Sequence, residues 1–216
     1  MPNEKKGGLT MGSVKRWVLL IAASCIIFLP VLAAAGTVEL PQTGLTACID
    51  SSGAEITCAG TGQDGDIQAG LPWPSPRFTD NLDGTISDSL TGLMWAKDAD
   101  APTVGSCTGG PRSWQLELNY VTCLNGISYQ GYNDWRLPNV NEHESLVNIG
   151  VPNTSDWLNA LGFINVKTSC YWTSTTLASN TSFAWSIQFG GVGSSGGSVI
   201  NSDKGTDSCY VLPVRQ

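Results

Sequence analysis

Six cysteines placed after an apolar leader constrain this chain more than any other feature. They are Cys48, Cys58, Cys107, Cys123, Cys170 and Cys209, and the seventh, Cys25, lies inside the leader. An even number of cysteines in an exported chain implies a disulfide framework. Sequence alone does not choose among the pairings that six cysteines allow. The simplest arrangement joins neighbours: Cys48 to Cys58, Cys107 to Cys123, and Cys170 to Cys209. The first would close CIDSSGAEITC as a small stapled hairpin, and the second would tie a loop to the helix that follows it. No CxxC spacing occurs, and the single His cannot complete a usual Cys/His metal site.

The leader is WVLLIAASCIIFLPVLAAA, residues 17–35, with Lys15 and Arg16 just before it and Gly36 just after. A positive flank, an apolar run and small residues at its end make a secretory signal peptide over 1–35, cut after Ala35. An uncleaved membrane anchor is the alternative, since the run nearly spans a bilayer. Pro30 and the Ala-rich end favour cleavage, which leaves no membrane insertion. The expected location is secreted, periplasmic or cell-surface. Leu40-Pro41-Gln42-Thr43-Gly44 matches the LPxTG sorting string but follows the leader instead of preceding a C-terminal tail, so it reads as an extended segment with a turn.

About 180 residues remain after the leader, enough for one domain with a real core. Only 13% of the chain is charged, so Ser, Thr, Asn and Gly must make up the surface. Twenty-five Gly and 11 Pro break it into short pieces, which excludes a coiled coil. Residues 36–216 hold 7 basic and 17 acidic residues, net −10, so nucleic acids and other polyanions are not expected partners.

Residues 36–76 read as an extended N-terminal arm carrying the first disulfide, ending in the stiff connector LPWPSP; the main domain then spans 77–216. Strand signals flank the turn Asp80-Asn81-Leu82-Asp83-Gly84, and a second turn at Thr91-Gly92 precedes another short strand, Leu93-Met94-Trp95. Ser113 caps a predicted helix over 114–125, with Leu116, Tyr120, Cys123 and Leu124 on its apolar face. Asn139 and Glu142 fit a capping box, and Leu146, Val147 and Ile149 give that helix its apolar side. Ser155 is expected to cap a short helix, DWLNALGF. The remainder is strand-like over 171–175, 183–189 and 209–215, with a long, flexible, polar stretch over 190–208. Strands, two or three helices, then strands make an α+β fold with mostly antiparallel pairing.

The strings DWRLPNVNEHESL, YWTSTT, AWSIQF and YVLPVR, in that order, resemble the Lcl C-terminal domain family. This is a bacterial exported domain of unknown function, also found at the end of a collagen-like adhesin. The front part, from PQTGLTACID to LMWAKD, is similar to the N-terminal part of many such proteins, so the resemblance covers roughly 38–216. The family is similar in organisation to C-type-lectin-like folds, which include formylglycine-generating enzymes with a comparable Arg-Leu-Pro-helix element. The resemblance implies a C-type-lectin-like antiparallel sheet with two or three helices. It also implies an adhesin-like binding scaffold whose late loops, here 177–182 and 190–208, carry the ligand surface. The adhesin's domain is associated with sulfated glycosaminoglycans, which need basic residues. Lys204 is the only base in these loops, so that ligand is not carried over.

The expected function is therefore a non-enzymatic binding module for a surface carbohydrate or protein. Its candidate contacts are the polar loop residues Asn180, Ser182, Ser194, Ser195, Ser198, Asn201, Asp203, Lys204 and Asp207. A structural cell-envelope module is the alternative, and a formylglycine-type oxidising enzyme using Cys170 and Cys209 is a third reading. No catalytic residue and no cofactor are expected. Calcium is weighed at Asp80, Asn81, Asp83 and Asp88, where Asx turns in a hairpin are the preferred explanation. His143, between two Glu, reads as part of a solvated helix face. Arg136 reads as a structural ion pair tying its turn to the sheet. Most tryptophans read as core anchors, with Trp73 and Trp157 the most exposed.

Overall fold

The computed structural model describes residues 40–190 and 196–216. The leader expectation over 1–35 lies outside the described residues. The fold is α+β, and every strand pair within its sheets is antiparallel. All three neighbour disulfides are present: Cys48–Cys58, Cys107–Cys123 and Cys170–Cys209.

The hairpin β1 (Cys48–Ile49) and β2 (Glu55–Ile56) is stapled by the first disulfide and followed by one helical turn, α1 (Asp64–Ile67). A four-stranded sheet runs β3-β4-β5-β9, from β3 (Phe78–Asp80), β4 (Thr85–Asp88), β5 (Met94–Ala96) and β9 (Val214–Arg215). A three-stranded sheet runs β6-β7-β8, from β6 (Cys170–Thr176), β7 (Phe183–Gln188) and β8 (Ser198–Asp203). Between β5 and β6 in sequence come α2 (Trp114–Gly126), a 3-10 turn (Tyr129–Gly131), α3 (Val140–Glu144) and α4 (Thr154–Ala160).

Helix α2 starts where Ser113 leaves extended backbone, although the Ser113 side chain makes no capping bond. Its buried face differs from the predicted one. Glu117, Tyr120, Val121 and Leu124 are buried while Leu116 is 47% exposed. The helix is rotated so that the i, i+3, i+4, i+7 stripe begins at Glu117. The capping box of α3 forms in full, Asn139 accepting from the Glu142 N–H and Glu142 accepting from the Asn139 N–H. That helix ends at Glu144, so Leu146, Val147 and Ile149 lie beyond it; Ser145 donates its hydroxyl to the Glu142 carbonyl in the last turn. Helix α4 is capped by Asn153, not Ser155: the Asn153 side chain accepts from the Ser155 N–H and hydroxyl.

The core gathers the two sheets and α2 around Trp95, Trp135, Tyr171, Trp172, Phe163 and Phe189. His143 is fully buried within it, stacked on Trp95 at 5.9 Å and edge-on to Tyr171 and Phe189. The solvated-face reading of His143 is thus corrected: α3 is so short that one side must fill the gap between the sheets, and His143 is the residue on that side.

Residues 40–76 pack on this body. Trp73 donates its indole N–H to the Gln42 carbonyl at 2.8 Å and meets the Trp157 ring at 5.3 Å. Both indoles are half-buried by this contact. The Ile149 N–H donates to the Thr43 carbonyl, and a Cβ at Gly150 would stand only 2.0 Å from the Gly44 carbonyl oxygen. The approach of the two backbones therefore requires glycine at 150.

Candidate functional site

The predicted contact residues fall on three pieces of backbone. Asn180 and Ser182 lie in the turn between β6 and β7, where the Asn180 side chain accepts from the Ser182 N–H. Ser198, Asn201 and Asp203 lie on β8, and Lys204 and Asp207 in the turn that follows. Ser194 and Ser195 lie outside the described residues.

The 190–208 stretch is therefore not a flexible loop over its second half. Strand β8 pairs with β7 residue by residue from Ser198↔Gln188 to Asp203↔Phe183. The polar composition concealed a strand because β7 supplies the partners that β8 needs, and Ser202 buries its hydroxyl against that of Ser186 at 3.1 Å. Propensity is a weak guide where a neighbouring strand satisfies the backbone.

Lys204 joins the two turns. Its N–H donates to the Ser182 carbonyl at 2.9 Å, and its Nζ donates to Thr176 Oγ1 at 2.7 Å and to the Thr181 carbonyl at 3.2 Å. The same ammonium stands 4.2 Å from the centre of the Trp114 ring, and the Lys204 carbonyl accepts from the Trp114 N–H. Asp203 accepts from the Gly205 and Thr206 N–H groups, and these bonds hold its carboxyl below the usual range. Asp207 accepts from the Asp203 N–H at 2.8 Å. Both aspartates thus shape the turn while remaining at the surface.

One helical turn along α2 from Trp114 lies Leu118, and two residues back along β6 from Thr176 lies Ser174. These begin a cleft of about 620 Å³ lined by Leu118, Val121, Trp135, Arg136, Asn139, Glu142 and Ser174 among others. The walls are built by short-range bonds. Asn125 clamps the Trp135 backbone, donating to its carbonyl and accepting from its N–H, both at 2.8 Å. Arg136 exchanges backbone bonds with Val214 of β9. Ser174 donates its N–H and its hydroxyl to the Pro138 carbonyl.

Arg136 and Glu142 meet in a bidentate pair, Nη1 to Oε2 and Nη2 to Oε1, both 2.7 Å. Burial opposes ionisation of Glu142, but the Arg136 guanidinium and the Asn139 N–H together hold its carboxyl below the ordinary range. The pair ties the turn to the start of α3, whereas a tie to the sheet was expected. It is also not buried, since 41% of the Arg136 side chain is exposed.

The other residues weighed in sequence have structural partners. Asp80 accepts from the Leu82 N–H and pairs with Lys97, Asp83 accepts from Thr85, and Asp88 is bonded by Arg77. These are the Asx turns and pairs that the hairpin reading expects. Among the described residues no group of three His, Cys, Asp or Glu is arranged to hold a metal. Sequence reasoning missed Trp114, Leu118, Thr176 and Ser174. The available signal was the serine before the predicted helix start at Trp114, together with an acidic capping-box residue six positions after Arg136.

A family model described as the Lcl C-terminal domain matches residues 84–215. No curated protein and no solved structure matches the chain.

Proposed function

The chain belongs to the Lcl C-terminal domain family, and from that premise we propose an exported, adhesin-like binding module without enzymatic activity. It takes a surface carbohydrate or protein through the turns held by Lys204 and the cleft beside them. The architecture we assign is C-type-lectin-like, supported by two antiparallel sheets, the Arg136-Leu137-Pro138 entry into α3, and late turns brought to one place. Three disulfides suit the oxidising exterior such a module would work in. The observation that carries the reading is that Lys204 is held against Trp114 of α2 and Thr176 of β6, the same two elements that contribute Leu118, Val121 and Ser174 to a cleft lined also by Leu137, Arg136, Asn139 and Glu142. Small numbers of placed polar groups on an apolar concavity are what ligand sites need. The oxidising-enzyme alternative requires thiols at Cys170 and Cys209, and these two are bonded to each other. The test is a broad glycan and surface-protein array probed with the purified protein, with calcium and then with chelator. Selective binding that falls on Lys204→Ala supports the reading. A blank array under both conditions, or binding indifferent to Lys204→Ala, removes it. Loss of binding in chelator would add calcium as a cofactor.

A further inference from the structure

Met94 is the sole methionine of residues 36–216, and the six cysteines of that stretch are all joined in disulfides. Its thioether is therefore the readiest sulfur there for two-electron oxidation to a sulfoxide. The side chain is partly exposed on β5, within reach of an oxidant in solution.

A fixed cation stands against this sulfur. Met94 lies directly opposite Arg215 of β9, so the two side chains leave the same face of the sheet. Arg215 Nη1 is 3.4 Å from Met94 Sδ. The rest of the guanidinium is already engaged: Nε and Nη2 lie 2.6 and 3.0 Å from the Asp134 oxygens, and the central carbon is 4.0 Å from the centre of the Tyr132 ring. Nη1 makes no other hydrogen bond among the described residues. A charged donor is thus held in place on a thioether, which is one of the weakest acceptors a protein offers. A sulfoxide oxygen in reach of the same N–H accepts far more strongly, because a charge-assisted bond rewards a polar acceptor.

We propose that Met94 is a sulfoxidation site whose product is held by Arg215, so that a peroxide tightens the pairing of β5 with β9. An S–O bond forms between Met94 Sδ and one peroxide oxygen as the O–O bond breaks. The sulfur is oxidised by two electrons and the peroxide is reduced; the departing hydroxide takes the proton of the transferred oxygen and leaves as water. Methionine is flexible enough for a turn about its last bonds to bring the new oxygen to Nη1. The same change in a core would be disruptive, since it puts a polar group among apolar ones. Here the polar group meets a cation that Asp134 and Tyr132 have already positioned. The effect reaches beyond the pair. Strand β9 is only two residues long, and its Val214 exchanges backbone bonds with Arg136 at the edge of the cleft. Fastening Arg215 therefore also steadies the turn that Arg136 begins.

The test treats the purified protein with hydrogen peroxide and follows it by peptide mass spectrometry and urea titration. The Met94 peptide should gain one oxygen before any tryptophan peptide does. The oxidised wild type should then unfold less readily, with an unfolding equilibrium constant lowered by about fivefold. Met94→Leu should show no such change after the same treatment, and in Arg215→Ala oxidation should bring no gain in stability. Unchanged or lowered stability of the oxidised wild type overturns the proposal, as does an equal gain in Arg215→Ala. Oxygen appearing on tryptophans while Met94 stays reduced overturns it as well. Should Arg215→Ala fail to fold, the wild type alone decides: the Arg215 N–H signals in two-dimensional NMR should exchange with solvent more slowly after oxidation. Equal or faster exchange would show that Arg215 does not hold the sulfoxide.

Discussion

Lys204 lies over the indole of Trp114, its Nζ 4.2 Å from the ring centre and 2.7 Å from Thr176 Oγ1. One side chain thus fastens the turn after β8 to the start of α2 and the end of β6. Replacing it with Ala removes a partly exposed cation–π contact and two hydrogen bonds, which together cost about 2 kcal/mol. Urea titration should show that modest loss with an unchanged m-value. Near-ultraviolet circular dichroism should change in the tryptophan region, because Trp114 loses its cover. Lys204→Arg should restore the spectrum.

Arg77 and Asp88 form a buried pair, with side-chain exposures of 4% and 0%. Arg77 also donates to the Ser145 carbonyl at 2.8 Å and lies between the rings of Trp73 and Phe78. It therefore links β4, the residue after α3 and the segment before β3. Removing one partner leaves a charge buried without compensation, at about 3–5 kcal/mol. Asp88→Ala should lose that much stability in denaturant, while the Arg77→Met, Asp88→Leu pair should lose less than Asp88→Ala alone. A double variant no better than the single one would show that the neighbouring hydrogen bonds, not the charge, carry the cost.

The strongest sequence signals were those whose partners are local. The three disulfides join the nearest cysteines, and the capping box at Asn139 and Glu142 needs only three residues. The Asx turns at Asp80 and Asp83 close within two. What stayed hidden depends on distant partners. β8 was hidden because β7 pairs its polar backbone. The buried side of α2 was misread because the pattern at Leu116 looked apolar, and nothing local says that Glu117 faces the core. His143 looked solvated between Glu142 and Glu144, since only the closure of both sheets over α3 buries it. The cleft was not legible, because α2, the Arg136 turn and β6 come from separate parts of the chain.

Among the described residues, Glu117 and His143 are the two fully buried ionisable side chains with no hydrogen-bond partner on either polar atom. Burial pushes the Glu117 carboxyl up from 4.5 to about 8, against a smaller opposing pull from Arg112, and burial drives His143 down from 6.5 to about 3. Between about pH 4.5 and 8 the unfolded chain has lost the Glu117 proton and the folded chain keeps it, so stability falls as pH rises. Between about pH 3 and 6.5 the unfolded chain holds a proton on His143 and the folded chain does not, so stability rises with pH. Each slope is about 1.4 kcal/mol per pH unit. The two cancel from pH 4.5 to 6.5, and Glu117 alone acts from 6.5 to 8. Denaturant stability should therefore be flat across the first window and drop by roughly 2 kcal/mol across the second. Glu117→Gln should abolish that drop. A wild-type curve flat to pH 8 would mean that the carboxyl ionises in the folded state with a partner other than Arg112.

The disulfides span sequence separations of 10, 16 and 39 residues for Cys48–Cys58, Cys107–Cys123 and Cys170–Cys209. Loop-closure entropy then ranks them at about 2.7, 3.1 and 3.9 kcal/mol of stabilisation. The ranking is reinforced by position. The first closes an exposed hairpin on β1 and β2, whereas the third brackets β6, β7 and β8 and joins the start of β6 to the strand-like segment beside Arg112. Replacing both cysteines of a pair with Ala should lower stability least for Cys48 and Cys58 and most for Cys170 and Cys209. The third variant should also lose protection of the β7 and β8 amides in hydrogen exchange, because the sheet that carries the Lys204 turn loses its closure. Equal losses for all three would put the stabilisation in local packing around each sulfur pair and not in the length of chain it closes.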